Sequence, residues 1–356
     1  MNRRAAVALA AAVLVTLVAC SAPAPAPSGT PATATPTATA SVPERPETGV
    51  EPWPDHGDFA IDANKAIIPA HNLAEQGKWE DHDYLQRIAT MAQARWVGSW
   101  ELDDRVEGLA RAVYEKAAAT DRIGLVAYQG MRDYPCERAV AEPELALVYR
   151  ARTEALVAAL PASGARAWII VEPGLVPDLG SCEGDPRAAW LSDAIGVIAD
   201  AGAAVYLDAG PDATVAAGHL AGVDLSRVAG FAIGTGGHMP DGVAEAEGLK
   251  LLTALADSGV DVMAARGVDP GEPGLGFIVD TSRNGAPVAD PDPCNAPDAA
   301  LGKAPRLVTG SGALDAYVWI KRPGESDGRC NGGLDVGQFD VAKALALSQG
   351  ANAEAA

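Results

Sequence analysis

Seven short apolar runs, separated by stretches of helical periodicity, constrain this chain more than any other feature of its sequence. The runs are ARWVGSW (94–100), IGLVAY (123–128), AWIIVEP (167–173), AAVYLDAG (203–210), VAGFAIG (228–234), GFIVDTS (276–282) and AYVWIK (316–321). Each is nearly continuous, the pattern of strands buried on both faces. The segments between them, such as DDRVEGLARAVYEKAAA and EPELALVYRARTEALVAAL, carry apolar residues at spacings of three and four, as amphipathic helices do. This alternation implies a parallel sheet with right-handed crossovers. About seven such units over roughly 300 residues favour a barrel over an open sheet. The expected fold class is α/β, a distorted TIM-like barrel of about seven parallel strands with surrounding helices.

The barrel is expected over residues 55–356 only. Residues 1–19 have a basic start, an apolar run and small residues before Cys20, and read as a secretory signal peptide. Leu17, Val18, Ala19 and Cys20 together are similar to a bacterial lipobox, which makes Cys20 the expected lipidated N-terminus and membrane anchor. Residues 20–54 are mainly Pro, Ala, Thr and Ser; they cannot bury enough surface to fold and read as an extended tether. After the signal, no apolar span is long enough to cross a bilayer.

With 47 acidic residues against 27 basic and a net charge of −20, the chain has no basic stripe to neutralise phosphates, so nucleic acid is excluded as a partner. The pairs in GTGG and GSG lack the strand, turn and helix context of a nucleotide fingerprint, and no cofactor is expected. Apart from Cys20, the cysteines are Cys136, Cys182, Cys294 and Cys330. An even number in an exported chain implies disulfides, and the lack of C-x-x-C spacing argues against a metal. Four cysteines allow three pairings; we expect Cys136 with Cys182 and Cys294 with Cys330, each stapling loops at the ends of successive strands.

In such a barrel the chemistry is carried by residues that follow the strands. These are Trp100 after the first run, Arg132 and Asp133 after the second, and Glu172 and Gly174 after the third. Asp208 follows the fourth, Asp280 and Arg283 lie around the sixth, and Lys321, Glu325 and Asp327 follow the last. A rim dominated by carboxylates suits glycoside cleavage, in which a protonated carboxyl assists the leaving oxygen and a carboxylate acts on water or on the sugar. The competing role for each acid is to cap a helix or to pair with Arg132, Arg283 or Lys321. Among the histidines only His238, in GGHMP, is placed to touch a ligand. Trp100 is placed to stack on one, or equally to pack at the rim.

Three stretches, FIVDTSRNG (277–285), CNAPDAALG (294–302) and LDAYVWIKRPGESDGRC (314–330), closely resemble glycoside hydrolase family 6, the inverting cellulases that cut β-1,4-glucans. IIVEPGLVP and VYLDAG look like two further motifs of that family. The resemblance covers roughly 60–350 and is strongest in the C-terminal third. It implies a distorted parallel barrel, two disulfides in the pairing given above, and a β-glucan or other neutral polysaccharide as partner. Asp327 matches the family's proposed catalytic base, Lys321 and Glu325 its sugar-binding lysine and glutamate, and Asp208 a motif aspartate in the cleft. Asp133 corresponds to the aspartate that tunes the acid, with Arg132 beside it, across a gap, because the family's R-D-C is RDYPC here. Arg132, Arg283 and Trp100 complete the expected substrate-binding set.

The chain departs from the family at the position that matters most. The third-strand motif of the family reads E-P-D and its aspartate is the general acid; here that position is Gly174. Loss of a general acid removes about 100- to 10,000-fold in rate. The family's histidine and tryptophan after LDAG are Pro211 and Thr214, its N-x-S-N-F is GTGGH, and its tryptophan before CN is Pro293. One reading is an exported, membrane-tethered, monomeric glycosidase in which Asp178 or Asp133 takes the acid's place, with inversion requiring carboxyls about 6.5–9.5 Å apart. The other is a non-catalytic glycan-binding lipoprotein. A purely structural envelope protein would leave Lys321, Glu325 and Asp327 without a reason to occur as a set.

Overall fold

The computed structural model describes residues 45–263, 274–288, 294–310 and 312–351. The signal, the proposed anchor at Cys20, most of the tether and Pro293 lie outside the described residues. The elements run α1 (Ile67–Glu75), α2 (Trp79–Ala89), β1 (Arg95–Gly98), α3 (Asp103–Thr120), β2 (Ile123–Gln129), α4 (Cys136–Ala141), α5 (Leu145–Val157), α6 (Leu160–Ser163) and β3 (Arg166–Val171). They continue α7 (Arg187–Asp200), β4 (Ala204–Asp208), α8 (Ala213–His219), β5 (Gly230–Ile233), α9 (Asp241–Asp257), β6 (Gly276–Asp280), β7 (Arg306–Leu307), β8 (Leu314–Val318) and α10 (Val341–Gln349). All seven apolar runs form strands. β7 is an addition that no apolar run announces, because a two-residue antiparallel pairing with β8 buries too little to need one.

The strands form one sheet in the order β1-β2-β3-β4-β5-β6-β8-β7, parallel except at β7. The sheet curls until its ends meet: just before β1, Ala94 N–H donates to Trp319 O beyond β8 at 2.9 Å. The Trp96 indole N–H donates to Ile320 O at 2.7 Å across the same seam. This is a barrel closed by side-chain and single backbone contacts rather than by a full ladder.

Side chains alternate along each strand, so one parity lines the barrel and the other meets the helices. Leu125 and Ala127 of β2, Trp168 and Ile170 of β3, Ala204 and Tyr206 of β4, Ile278 of β6, and Ala316 and Val318 of β8 form the interior cluster. Val126, Tyr128, Ile169, Val205, Leu207, Phe231 and Val279, of the opposite parity, pack under the helices. The interior parity, that of Tyr206 and Ile278, carries Asp208 and Asp280 onto the top of the interior, at the C-terminal ends of β4 and β6, where both are buried. The period of two therefore sets the position of the site.

A third cluster joins α1, α2 and α10 around Trp319, and it includes Trp53, whose ring meets Trp319 edge-on at 6.2 Å. Arg45 and Thr48 both bind the carboxylate of Asp83 in α2. The packed unit therefore reaches back to Arg45, upstream of the boundary that composition places at residue 54. Polar residues 45–52 contribute little apolar surface; Trp53, the buried Asp83 and a hydrogen bond from Arg87 Nε to Glu51 O at 3.1 Å hold the segment. Both expected disulfides are present, Cys136–Cys182 and Cys294–Cys330.

Candidate active site

The site is assembled where the loops after β3, β5, β6 and β8 converge. Asp327 is its centre. Its Oδ1 lies 2.6 Å from Lys321 Nζ, and its Oδ2 accepts from Arg283 Nη1 and from Asn295 N–H at 2.8 Å. Asn295 returns the bond, accepting Asp327 N–H on its side-chain oxygen at 2.9 Å, and its amide group donates to the carbonyls of Gly328 and Cys330. The Cys294–Cys330 bridge ties the same two loops, so Asp327 is clamped by a covalent link and a reciprocal hydrogen-bonded pair. Burial pushes the Asp327 carboxyl up, but Arg283 and Lys321 more than offset this and hold it at about 2. It is a carboxylate at every working pH.

Asp280, buried at the end of β6, fixes the partners of Asp327. Its carboxylate accepts four backbone amides, those of Gly236, Ser282, Ile320 and Lys321, at 2.8 to 3.2 Å. It therefore sets the chain direction at Lys321 and at the Gly236 turn. Arg283 in turn donates to Gly236 O while it pairs with Asp327. Arg283 is a positioning residue here: it is largely buried and holds Asp327 and the Gly236 turn together. His238 lies on the same turn: burial and the nearby Arg283 lower its imidazole to about 4, against the opposing effect of Asp327, so it is neutral.

Across the cleft, Gly174 ends the third-strand motif with φ +87°, a left-handed conformation that glycine adopts without steric penalty. Its N–H donates to Asp208 Oδ2 at 2.8 Å. A Cβ added at Gly174 would meet nothing within 4 Å. Burial pushes the Asp208 carboxyl up to about 6, the Thr235 hydroxyl and the amides of Gly174 and Gly210 draw it down, and Asp280 pushes it up again. Glu172, two residues before Gly174, is buried and accepts the amides of Gly130 and Met131. Burial drives its carboxyl to about 7. Glu172 thus holds the β2 loop that carries Arg132 and Asp133, and Gln129 Nε2, donating to Pro173 O at 2.6 Å, ties the same loops a second time.

The remaining expected site residues divide. Arg132 lies over the Trp100 ring, its guanidinium carbon 5.6 Å from the centroid, and both side chains are exposed at the rim. Trp100 lies across Gly98, where a Cβ would fall 2.2 Å from its ring, so the absence of a side chain at Gly98 shapes this platform. Asp133 is exposed on the same loop. Glu325 is near Asp327 in sequence, but its carboxylate pairs with Lys65 Nζ at 2.9 Å and Arg322 Nη1 at 3.2 Å. Asp178 departs from expectation. Its carboxylate, more than half exposed, pairs at 2.7 Å with Arg187, a buried guanidinium that also binds Asp185, so Asp178 braces the loop after β3. Sequence reasoning missed Asn295 and Lys65. The CN dipeptide offered a signal for the first; Lys65, far upstream, offered none.

Buried and half-buried carboxyls, Asp280 among them, give the fold a pH signature. Glu172, Asp208 and Asp315, the last raised to about 6 by burial beside Tyr206, all hold their protons to higher pH than an unfolded chain does. Their stabilising contribution is complete below the unfolded values near 4 and is lost as pH rises through 6 to 7. Asp327 acts oppositely, but only as pH falls from about 4 towards 2. Denaturant unfolding at pH 5, 6.5 and 8 is expected to show a loss on the order of a few kcal/mol across that range. A flat or rising profile would contradict the burial of these groups.

Comparison with known proteins places this geometry. The family model for glycosyl hydrolases family 6 matches residues 247–355, which include β6, β8, Arg283, Asn295, Lys321 and Asp327. Endoglucanase 1 of Streptomyces halstedii is 34% identical over 270 residues, covering 71% of this chain and 76% of that protein. Endoglucanase A of Cellulomonas fimi is 28% identical over 280 residues, covering 76% of this chain, which spans only 57% of that relative's length. Among solved structures, the endoglucanase Cel6 of Mycobacterium tuberculosis, in complex with a methyl-cellobiosyl-thio-cellobioside, matches with a TM-score of 0.66 at 26% identity. That match covers 82% of this chain and 97% of that one. Shared sequence across the barrel, the same curled parallel sheet and the motif around Asp327 together show that this chain belongs to glycoside hydrolase family 6.

Proposed function

We propose that the protein is an exported glycoside hydrolase that cuts β-1,4-linked glucan, or a related envelope polysaccharide, with inversion and at reduced efficiency. The observation that carries the reading is the clamped Asp327, held between Arg283 and Lys321 at the mouth of the barrel. A carboxylate so fixed orients water for in-line attack and stabilises the positive charge that develops on the sugar ring, although its low basicity makes it a weak proton acceptor. Trp100 and Arg132 form a rim platform suited to a sugar face. Asp133, exposed on the β2 loop, is a carboxyl from which a proton could be delivered. Relatives named endoglucanases support the glucan as substrate. Residues 1–54 support export with a lipid anchor at Cys20. Gly174, which carries no proton donor, favours a second reading, a glycan-binding lipoprotein without turnover.

Reducing-sugar release from soluble β-1,4-glucan by the purified protein separates the two, with proton NMR of the first product to read its anomer. Release of the α-anomer supports the inverting hydrolase. Saturable glucan binding with no product supports the binder.

A further inference from the structure

We infer that this cleft acts fastest on β-glucosides whose aglycone departs as a stable anion, a phosphate ester or a phenol, in preference to the sugar–sugar linkage of a glucan. The inference rests on the hydrolase reading above and follows from where the strand-end carboxyls are engaged. Asp208 and Asp280 are buried beneath the rim and accept backbone amides, Asp208 on Oδ2 while its Oδ1 is buried without a partner. Asp178 is bound to Arg187, Glu325 to Lys65 and Arg322, and Asp327 to Arg283 and Lys321. Of the strand-end carboxyls, Asp133 has no hydrogen-bonded partner on its carboxylate among the described residues, and it stands open to water rather than fixed over a leaving oxygen. Gly174 carries no side chain, and no atom lies within 4 Å of where its Cβ would stand. Water activation is therefore built, while proton delivery to the aglycone is not.

An aglycone that is stable as an anion needs no such delivery. Water, oriented by Asp327, attacks C1 and gives up a proton to the carboxylate or to solvent. The C1–O bond breaks and its electron pair leaves on the aglycone oxygen as phosphate or phenolate. A sugar alkoxide leaving in the same way is penalised by the missing general acid, worth about 100- to 10,000-fold. The rim offers a group for each kind of aglycone. Arg132 presents an exposed guanidinium to a phosphate, and Trp100 presents an exposed ring to a phenol. The β2 loop that carries Arg132 is tied to the Gly174 loop by Gln129, by Glu172 and by the Cys136–Cys182 bridge.

The test is kcat/KM of the purified full chain on four β-cellobiosides that share one glycone: the phosphate, the 2,4-dinitrophenyl, the methyl and the cellobiosyl (cellotetraose). The expected result is turnover of the phosphate or the dinitrophenyl compound, with the methyl and cellobiosyl compounds slower by about 100-fold or more. A phosphate-selective enzyme whose Arg132→Ala variant loses that selectivity identifies the phosphate source. Selectivity for the phenol that is lost in Trp100→Ala identifies the phenolic one. Cellotetraose cleaved within tenfold of the dinitrophenyl compound overturns the inference and leaves the hydrolase reading standing. No turnover of any of the four overturns both.

Discussion

Asp327→Asn is expected to reduce hydrolysis of an activated β-cellobioside by about 100- to 10,000-fold and to destabilise the fold at the same time. The first effect follows from removing the charge that orients water and balances the developing cation. The second follows from its partners: Arg283 is 7% exposed and Lys321 16%, so a neutral amide leaves two largely buried cations facing each other. Breaking a buried pair by removing one partner typically costs about 3–5 kcal/mol. Kinetics and urea unfolding on the same preparation separate the two effects. A variant that stays within tenfold of the native rate would remove Asp327 from the chemistry. Arg283→Ala supplies the opposite control. Without the guanidinium the Asp327 carboxyl rises from its value near 2, and the acid limb of the pH profile moves to higher pH.

How this site arises explains which parts of it the sequence discloses. The barrel is legible because every parallel strand must be apolar on both faces, and the helix periods between the runs permit few other topologies. Asp208 and Asp280 are legible as strand-end acids, but not as buried ones. Their burial depends on parity within strands whose exact ends a sequence does not mark, and on the amides of Gly174, Gly236, Ile320 and Lys321, which come from other loops. The departure at Asp178 has the same origin. Its fate is decided by Arg187, nine residues on, whose burial beneath the loop after β3 cannot be read from spacing. Local pattern discloses what each strand carries, while the pairing of charges belongs to the loops.

Gly174→Asp is the substitution expected to increase activity most. A Cβ added there would meet nothing within 4 Å, so packing around the start of the new side chain does not oppose it. The backbone does: a non-glycine residue held at φ +87° is strained by roughly 1–2 kcal/mol, less for aspartate or asparagine than for other side chains. The strain lowers stability, while an acid at the leaving oxygen contributes about 100- to 10,000-fold in rate, equivalent to several kcal/mol, so the kinetic gain exceeds the loss. On soluble β-1,4-glucan the variant is expected to outpace the native protein by at least 100-fold. Its kcat/KM should also gain an alkaline limb where the new acid loses its proton. Gly174→Asn separates chemistry from shape, since it has a comparable backbone penalty and a similar volume but no ionisable proton. Asparagine matching aspartate would show that the position acts by filling space, and neither variant rising above the native rate would show that the cleft lacks more than an acid. Aspartate alone restoring glucan cleavage would establish that the native cleft lacks a general acid and that Gly174 stands where one is needed.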